Sequence, residues 1–262
     1  MDLKLILGVV IVVVLLYIIW SYFFTSMEVL MSFQKGTELT TKSLDKIVDG
    51  SRNNYSFSVW VYVDEWGVNY DNNKNILAIG PGTISPCFFA LFLSPRTNDL
   101  NIYVEDRTVP TVPTVPSPSL TAPDNKFNSL ESTCSVTNFP LQTWVNISVS
   151  VYNRAIDVYI DGKLIKTCSM NRVASAISNR SDIFIGGSII GGSRTHGNNK
   201  VPGFSGFIAS VVYSPEVFSP KEVWDIYARG YTNSAFDLNA LKRYKLELAF
   251  LKDNSVLKSF SI

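Results

Sequence analysis

Oxygen-bearing and aromatic side chains crowd into one short stretch, "VDEWGVNYDNNKN" at Val63–Asn75. Asp64, Glu65, Asp71 and Asn73 offer the hard oxygen ligands that calcium prefers, while Trp66 and Tyr70 offer ring faces on which a sugar can stack. The stretch lacks the ligand spacing of an EF-hand loop. Asn and Asp between strands also serve turn geometry, because both tolerate left-handed backbone. Three readings therefore stand for this segment: a calcium loop, a glycan contact, or a plain connection.

Catalysis finds less to work with. A retaining glycosidase needs two carboxyls about 5–5.5 Å apart, and on a strand that demands acids at even spacing. The pairs present, Asp64-Glu65 and Glu105-Asp106, are adjacent and so point to opposite faces. Hydrolase activity is not expected. His196 is the single histidine and sits in the polar, glycine-rich "GGSRTHGNNK", which reads as an exposed loop. Cys87, Cys134 and Cys168 form no Cys-x-x-Cys or Cys/His cluster, which excludes the usual zinc ligand sets and any Cys-His or Ser-His chemistry not centred on His196. No cofactor is expected.

These side chains must be held by a scaffold, and the chain is long enough to build one. Of 262 residues, 46% are hydrophobic and 13% aromatic, which suits one domain of about 200 residues plus extras. Basic and acidic residues nearly cancel, 23 against 22, so no field favours nucleic acid.

The period-2 signal is strong. "YSFSVWVYV" (Tyr55–Val63) alternates strictly, with Ser56, Ser58, Trp60 and Tyr62 on the side opposite its valines, and predicts a half-buried strand. "NILAIG", "CFFALFLS" and "DLNIYVED" follow as shorter strands. From Trp144, Val145, Ile147, Val149 and Val151 alternate with Asn146, Ser148 and Ser150 until Tyr152-Asn153-Arg154 reverses the chain. Ile156, Val158 and Ile160 restore the apolar face, and Asp161-Gly162 makes a second tight turn. Such a meander must pack its oily face on a second sheet. "DIFIGGS" and "FSGFIASVVYS" add two strands around the glycine-rich loop 191–203. A helix is predicted over 219–229: Ser219 caps it, Pro220 opens it, Glu222 completes a capping box and Gly230 stops it, with Val223, Trp224 and Tyr227 as the apolar stripe. Residues 231–262 read as an extension ending in a hairpin that turns at Asp253-Asn254.

Two segments lie outside this scheme. Leu5–Met27 runs 23 residues without a charge, and roughly 20 apolar residues cross a bilayer as a helix. A cleaved leader has a shorter apolar core of about 7–15 residues and a small-residue cleavage site. This run instead ends in Trp20, Tyr22, Phe23 and Phe24, so residues 1–27 are expected to be an uncleaved transmembrane anchor and 28–52 a stalk leading to a domain over 53–230. Lys4 stands on the short side against Lys35, Lys42, Lys46 and Arg52, a bias toward a cytosolic domain that a large folded domain can override. The second segment, 108–123, repeats Thr-Val-Pro three times. Proline there favours extended polyproline II, either a stiff surface insertion or a partner-docking loop presenting Pro110, Pro113, Pro116 and Pro118. Asn54, Asn146 and Asn179 head Asn-x-Ser sequons that matter only in a secretory lumen.

About ten strands, one helix and no βαβ rhythm indicate an all-β, antiparallel two-sheet sandwich. "WVNISVSVYNRAIDVYIDGKL", "IFIGG" and "FSGFIASVVYSPEVFSPKEVWDIY" together resemble the laminin G-like, concanavalin A-like jelly roll, with Trp144, Tyr159, Asp161, Gly162, Gly186, Gly187, Gly206, Tyr213 and Glu222 at the pattern positions. The Glu-x-Asp-x-x-Glu string carried by that family's glucanases does not occur. "YSFSVWVYVDEW", "FPLQTWVNISVSVYNRAIDVYIDGKLIKTC" and the apolar N-terminus are also similar to membrane-anchored members encoded by large DNA viruses. That resemblance implies a Cys134–Cys168 disulfide, which a 34-residue spacing would make worth roughly 3–4 kcal/mol, with Cys87 a buried thiol. It also implies a non-enzymatic virion protein, a minor capsid component linking an internal membrane to capsid proteins. The alternative is a lectin-like adhesion protein that binds glycans.

Overall fold

The computed structural model describes residues 12–14, 16, 27–48, 51–80, 87–106, 130–187, 202–231, 247–252 and 255–261. The strands in chain order are β1 Glu28–Lys35, β2 Thr40–Ser43, β3 Ser51–Arg52, β4 Tyr55–Val63, β5 Lys74–Gly80, β6 Phe89–Leu93, β7 Leu100–Val104 and β8 Cys134–Val136. There follow β9 Trp144–Tyr152, β10 Ala155–Ile160, β11 Lys163–Ser169, β12 Ile177–Ser178, β13 Asp182–Ile185, β14 Gly206–Ser214, β15 Glu247–Lys252 and β16 Ser255–Ser261. One helix, α1, covers Pro220–Arg229.

Twelve of the strands form two six-stranded sheets, a front sheet ordered β1-β14-β4-β9-β10-β11 and a back sheet ordered β2-β13-β5-β6-β7-β8. All pairings are antiparallel, as the alternation predicts. The inner faces meet in a core where Phe57 of β4 packs on Phe89 of β6, with ring centroids 5.2 Å apart. Val59, Val145, Ile147, Leu91 and Ile102 surround them, all buried. Each such side chain contributes about 1.5–3 kcal/mol of burial, so the two oily faces hold each other.

The tight turns follow the sequence closely. Asp161 (φ 49°) and Gly162 (φ 77°) both adopt left-handed backbone between β10 and β11, the geometry that an Asp-Gly hairpin supplies. Asp161 Oδ1 accepts a hydrogen bond from the Asn146 backbone N–H at 2.9 Å, so its carboxylate serves the turn. In α1, Ser219 accepts from the Glu222 N–H and Glu222 returns a bond to the Ser219 N–H, which is the expected capping box. The apolar stripe differs from expectation. Val223 and Ile226 are buried, whereas Trp224 is 50% exposed.

Two further expectations need correction. Residues 28–52 are not a stalk: β1 pairs with β14 along the front sheet and β2 with β13 along the back sheet. Leu30, Leu44 and Val48 enter the core. β2 is wholly polar, and the apolar residues of β1 run consecutively through a bulge at Val29–Met31, so neither strand alternates. Strand β4 is not half-buried; all but Tyr62 of its residues are hidden on both faces, because α1 and the segment before it cover the outer side. The expected Cys134–Cys168 disulfide is present, with Cα atoms 5.8 Å apart. It ties β8, at the edge of the back sheet, to β11, at the edge of the front sheet.

The proposed anchor over 1–27 lies almost wholly outside the described residues; 12–14 and 16 are helical. Among the described residues no helix is long and apolar enough to cross a membrane. The proline-rich segment 108–123 and His196 also lie outside them. The chain divides into a unit ending at Tyr231 and a second over Thr232–Ile262. In the second, β15 and β16 pair as the expected hairpin, with Lys252 opposite Ser255 and two residues left to connect them.

Candidate functional site

The loop after β4 is built by its own Asn and Asp residues. The Asp64 N–H donates to the Ser205 carbonyl at 2.9 Å, Tyr70 to Gly67 at 3.3 Å and Asn72 to Asn69 at 3.1 Å, giving successive turns. Asn69 (φ 54°) and Asp71 (φ 67°) take left-handed backbone, which their short polar side chains tolerate. Asn69 Nδ2 donates to Gly203 O at 2.8 Å and so fastens the loop to the strand-leading segment opposite.

The predicted ligand set is only partly gathered here. Asp71 Oδ1 meets Arg96 Nε at 2.6 Å in an exposed ion pair, worth at most about 1 kcal/mol. Asp64 and Glu65 are exposed neighbours, and Asn73 is buried. No group of three or more metal-ligating carboxylate, thiol or imidazole side chains forms among the described residues. Trp66 instead receives Lys74, whose Nζ lies 4.6 Å from its ring centroid and donates to the carbonyl of Pro95 at 3.1 Å. Burial lowers the Lys74 pKa to about 8, with Asp71 pulling the other way. Tyr70 remains 55% exposed and free to act as a contact ring. The loop is thus a rigid connection with one presented aromatic.

The other titratable groups stay structural. Cys87 is buried and its thiol donates to Phe89 O at 2.8 Å, with burial pushing its pKa up to about 12. Burial also raises the Glu105 carboxyl, which the Ser175 hydroxyl partly offsets. Its sequence neighbour Asp106 departs into a bridge with Ala174.

The outer face of the front sheet carries the most distinctive surface. At one end Ser56, Ser58, Asn146, Ser148 and Ser150 are completely buried. Ser56 Oγ donates to Ser150 Oγ at 2.9 Å and Ser148 Oγ to Ser58 Oγ at 2.9 Å. Asn146 Nδ2 reaches Ser58 Oγ at 3.1 Å. The Phe218 N–H, just before α1, closes the network on the Ser56 and Ser150 hydroxyls. Asn146 is therefore inaccessible as a sequon in the folded domain.

At the other end the same strands present rings. Phe33 (β1), Phe207 (β14), Tyr62 (β4) and Trp144 (β9) run across four adjacent strands, since Phe207 pairs with Tyr62 and Tyr62 with Trp144. Phe33 stacks on Phe207 at 5.4 Å and Tyr62 packs on Trp144 at 5.7 Å. Tyr231, just past α1, lies flat on Trp144 at 4.5 Å with planes 9° apart. Trp60 stacks on Tyr227 of α1 at 5.7 Å, and Trp224 continues the row at 5.5 Å from Tyr227. Phe33 is 56% exposed. Sequence reasoning missed this array because its members come from five separate elements and the segment after α1. The available signal was Trp60 and Tyr62 standing on the polar side of an alternating strand.

Comparison with known proteins agrees with this architecture. A laminin G-like family model, described as the concanavalin A-like lectin/glucanases superfamily, matches residues 34–224. No curated protein matches the chain. Among solved structures, the ligand binding domain of botulinum neurotoxin serotype D in complex with N-acetylneuraminic acid is similar at 11% identity and TM-score 0.48, over 78% of this chain and 46% of that one. The binding domain of botulinum neurotoxin DC in complex with SialylT is similar at 12% identity and TM-score 0.43, over 67% and 35%. A Trypanosoma rangeli sialidase is similar at 13% identity and TM-score 0.42, over 69% and 24%. The chain spans less than half the length of each of these structures. Likenesses this distant say nothing about what this chain binds.

Proposed function

The chain belongs to the concanavalin A-like lectin/glucanases superfamily, and from that premise we propose that it is a non-enzymatic interaction module, tethered to a membrane by its N-terminal apolar segment. The observation that carries this reading is the aromatic end of the front sheet. Rings drawn together from five elements and the segment after α1 leave Phe33, Trp224 and Tyr231 exposed beside half-buried Tyr62, Phe207 and Trp144, and exposed apolar surface of this kind marks interaction sites. Aromatic side chains are also the residues enriched in such contacts. The carboxylates support the same view, because Asp71 is committed to Arg96 and Asp161 to its turn. In the viral setting implied by the sequence resemblance, such a module would join an internal membrane to capsid proteins.

The test begins with membranes from cells making the full chain. After an alkaline carbonate wash the protein is expected in the pellet, and recovery in the supernatant would contradict the tether. Incubation with a panel of β-glucans is expected to leave every chain intact; cleavage would overturn the non-enzymatic reading.

A second reading, glycan binding, is favoured by the exposed Tyr70 ring beside the Asp71–Arg96 pair on a loop fixed by its own hydrogen bonds. Titration of glycans against the wild-type chain and Tyr70→Ala separates the two. Heat released by the wild type and lost in the variant would establish this second site.

A further inference from the structure

The aromatic end and the point where the chain enters the domain lie on one side of the molecule. Met27 packs against Tyr159, Val212, Phe218, Val223 and Ile226, the cluster that α1 forms on the outer face of the front sheet. β1 begins at Glu28, the next residue, and reaches Phe33 within six residues. The uncharged run Leu5–Met27 therefore ends on the outer face of the front sheet, beside the end roofed by Phe218, and β1 leads from there to Phe33 at the aromatic end. Two large apolar side chains elsewhere on that side, Val29 and Trp224, are also about half exposed. Basic groups accompany them. Lys35 pairs with Phe207 at one end of the row, and the Arg229 guanidinium lies 4.0 Å from the Met27 sulfur.

We propose that the aromatic end of the front sheet is a membrane-docking face, seated in the headgroup layer of the bilayer that holds the N-terminal segment. The inference rests on the tethered reading above and names the partner of that surface. A bilayer that holds the N-terminal segment would meet the outer face of the front sheet, on which Met27 packs and along which β1 runs to Phe33. Tyrosine and tryptophan, with apolar bodies and polar tips, settle at the membrane–water interface. Lys35 and Arg229 can extend their charged heads to lipid phosphates while their stems stay among the rings.

Hydroxyl-radical footprinting of the full chain tests this. The protein is placed in vesicles of phosphatidylcholine with a minor fraction of phosphatidylserine, and separately in micelles of a nonionic detergent, and side-chain oxidation is read by mass spectrometry. Oxidation of Phe33, Trp224 and Tyr231 is expected to fall severalfold in vesicles relative to micelles, while Tyr70 keeps its rate. In Phe33→Ser/Trp224→Ser, both changed at exposed positions and checked for folding by circular dichroism, the protection of Tyr231 is expected to disappear. Equal oxidation in vesicles and micelles, with the protein still in the carbonate-washed pellet, would overturn the docking face and leave the tether standing. Release by carbonate would overturn both. Protection that appears in micelles as well and vanishes on dilution would assign the face to a second copy of the chain, which also overturns the proposal.

Discussion

The outer face of the front sheet behaves as two different surfaces. Around Ser56, Ser58, Ser148 and Ser150 it is chemically polar and entirely hidden; around Phe33, Tyr62, Phe207 and Trp144 it is aromatic and only partly covered, with Phe33 exposed and the other three half-buried. Sheet grammar would assign the reverse. The difference comes from size and from what lies above. Small hydroxyls on adjacent strands satisfy one another, so a roof over them strands no polar group, and Phe218 with α1 supplies that roof. The rings stand too tall and too wide for the same strap, which crosses them only with Tyr227 and Tyr231. Polarity along a strand thus reports which side faces the other sheet, and does not report which side meets water.

Substitutions should separate the two ends, with the sealed end governing stability and the open end governing contact. The largest effect is expected for Phe218→Ala, which empties the roof over the hydroxyl network. Loss of a buried phenylalanine costs about 3–5 kcal/mol, read as a lowered midpoint of urea unfolding in detergent. A shift below about 1 kcal/mol would mean that the strap does not seal this end. Next comes Ser150→Val, which removes the hydroxyl shared by Ser56 and the Phe218 N–H. Leaving buried partners short of a bond costs about 1–3 kcal/mol, and Ser56→Ala is expected to fall in the same range. Removing the cap of the strap with Ser219→Ala should cost about 1 kcal/mol, visible as faster amide exchange through α1. Smallest of all is Phe33→Ser at the open end, which should stay within about 0.5 kcal/mol of wild type. A large loss of stability from Phe33→Ser would erase the contrast and make the rings structural.

Much of the scaffold was legible from residues alone. The Tyr55–Val63 and Trp144–Tyr152 strands, the Asp161-Gly162 turn and the Ser219–Glu222 capping box all stand where alternation and turn chemistry place them. These features are local, and each residue's role is decided by near neighbours. The pairing of Cys134 with Cys168 came from resemblance, and the structure adds that it clasps the edges of two sheets. What escaped was set by distant partners. β1 and β2 gain their strand character from β14 and β13; β2 is short and polar, and β1 has a run of three apolar residues broken by a bulge, so neither gives a period-2 signal of its own. Trp224 occupies a helical position that reads as core, yet it leans outward over Gly162, where an added Cβ would come within 2.9 Å of its ring. The aromatic row required the register of four strands before its members became neighbours.

The loop at 64–73 shows the opposite case, where the sequence suggested more chemistry than the geometry assembles. Asp and Asn were read as potential calcium ligands, and two of the positions with left-handed backbone explain why such residues stand there. One acid became half of a surface ion pair and the others remained apart. Turn formation and ligand binding draw on the same residue types, so composition alone cannot choose between them.

The central claim, that the open end of this face lies against a bilayer, is tested most directly by tryptophan quenching in vesicles. Of the five tryptophans only Trp20 lies in the N-terminal apolar segment, so a Trp20→Phe background leaves the domain's own indoles. With phospholipids brominated high on the acyl chain, close to the headgroup, the emission is expected to drop, and the drop should shrink when Trp224→Phe is added. Emission unchanged by brominated lipid, in vesicles that retain the protein after a carbonate wash, would contradict the account.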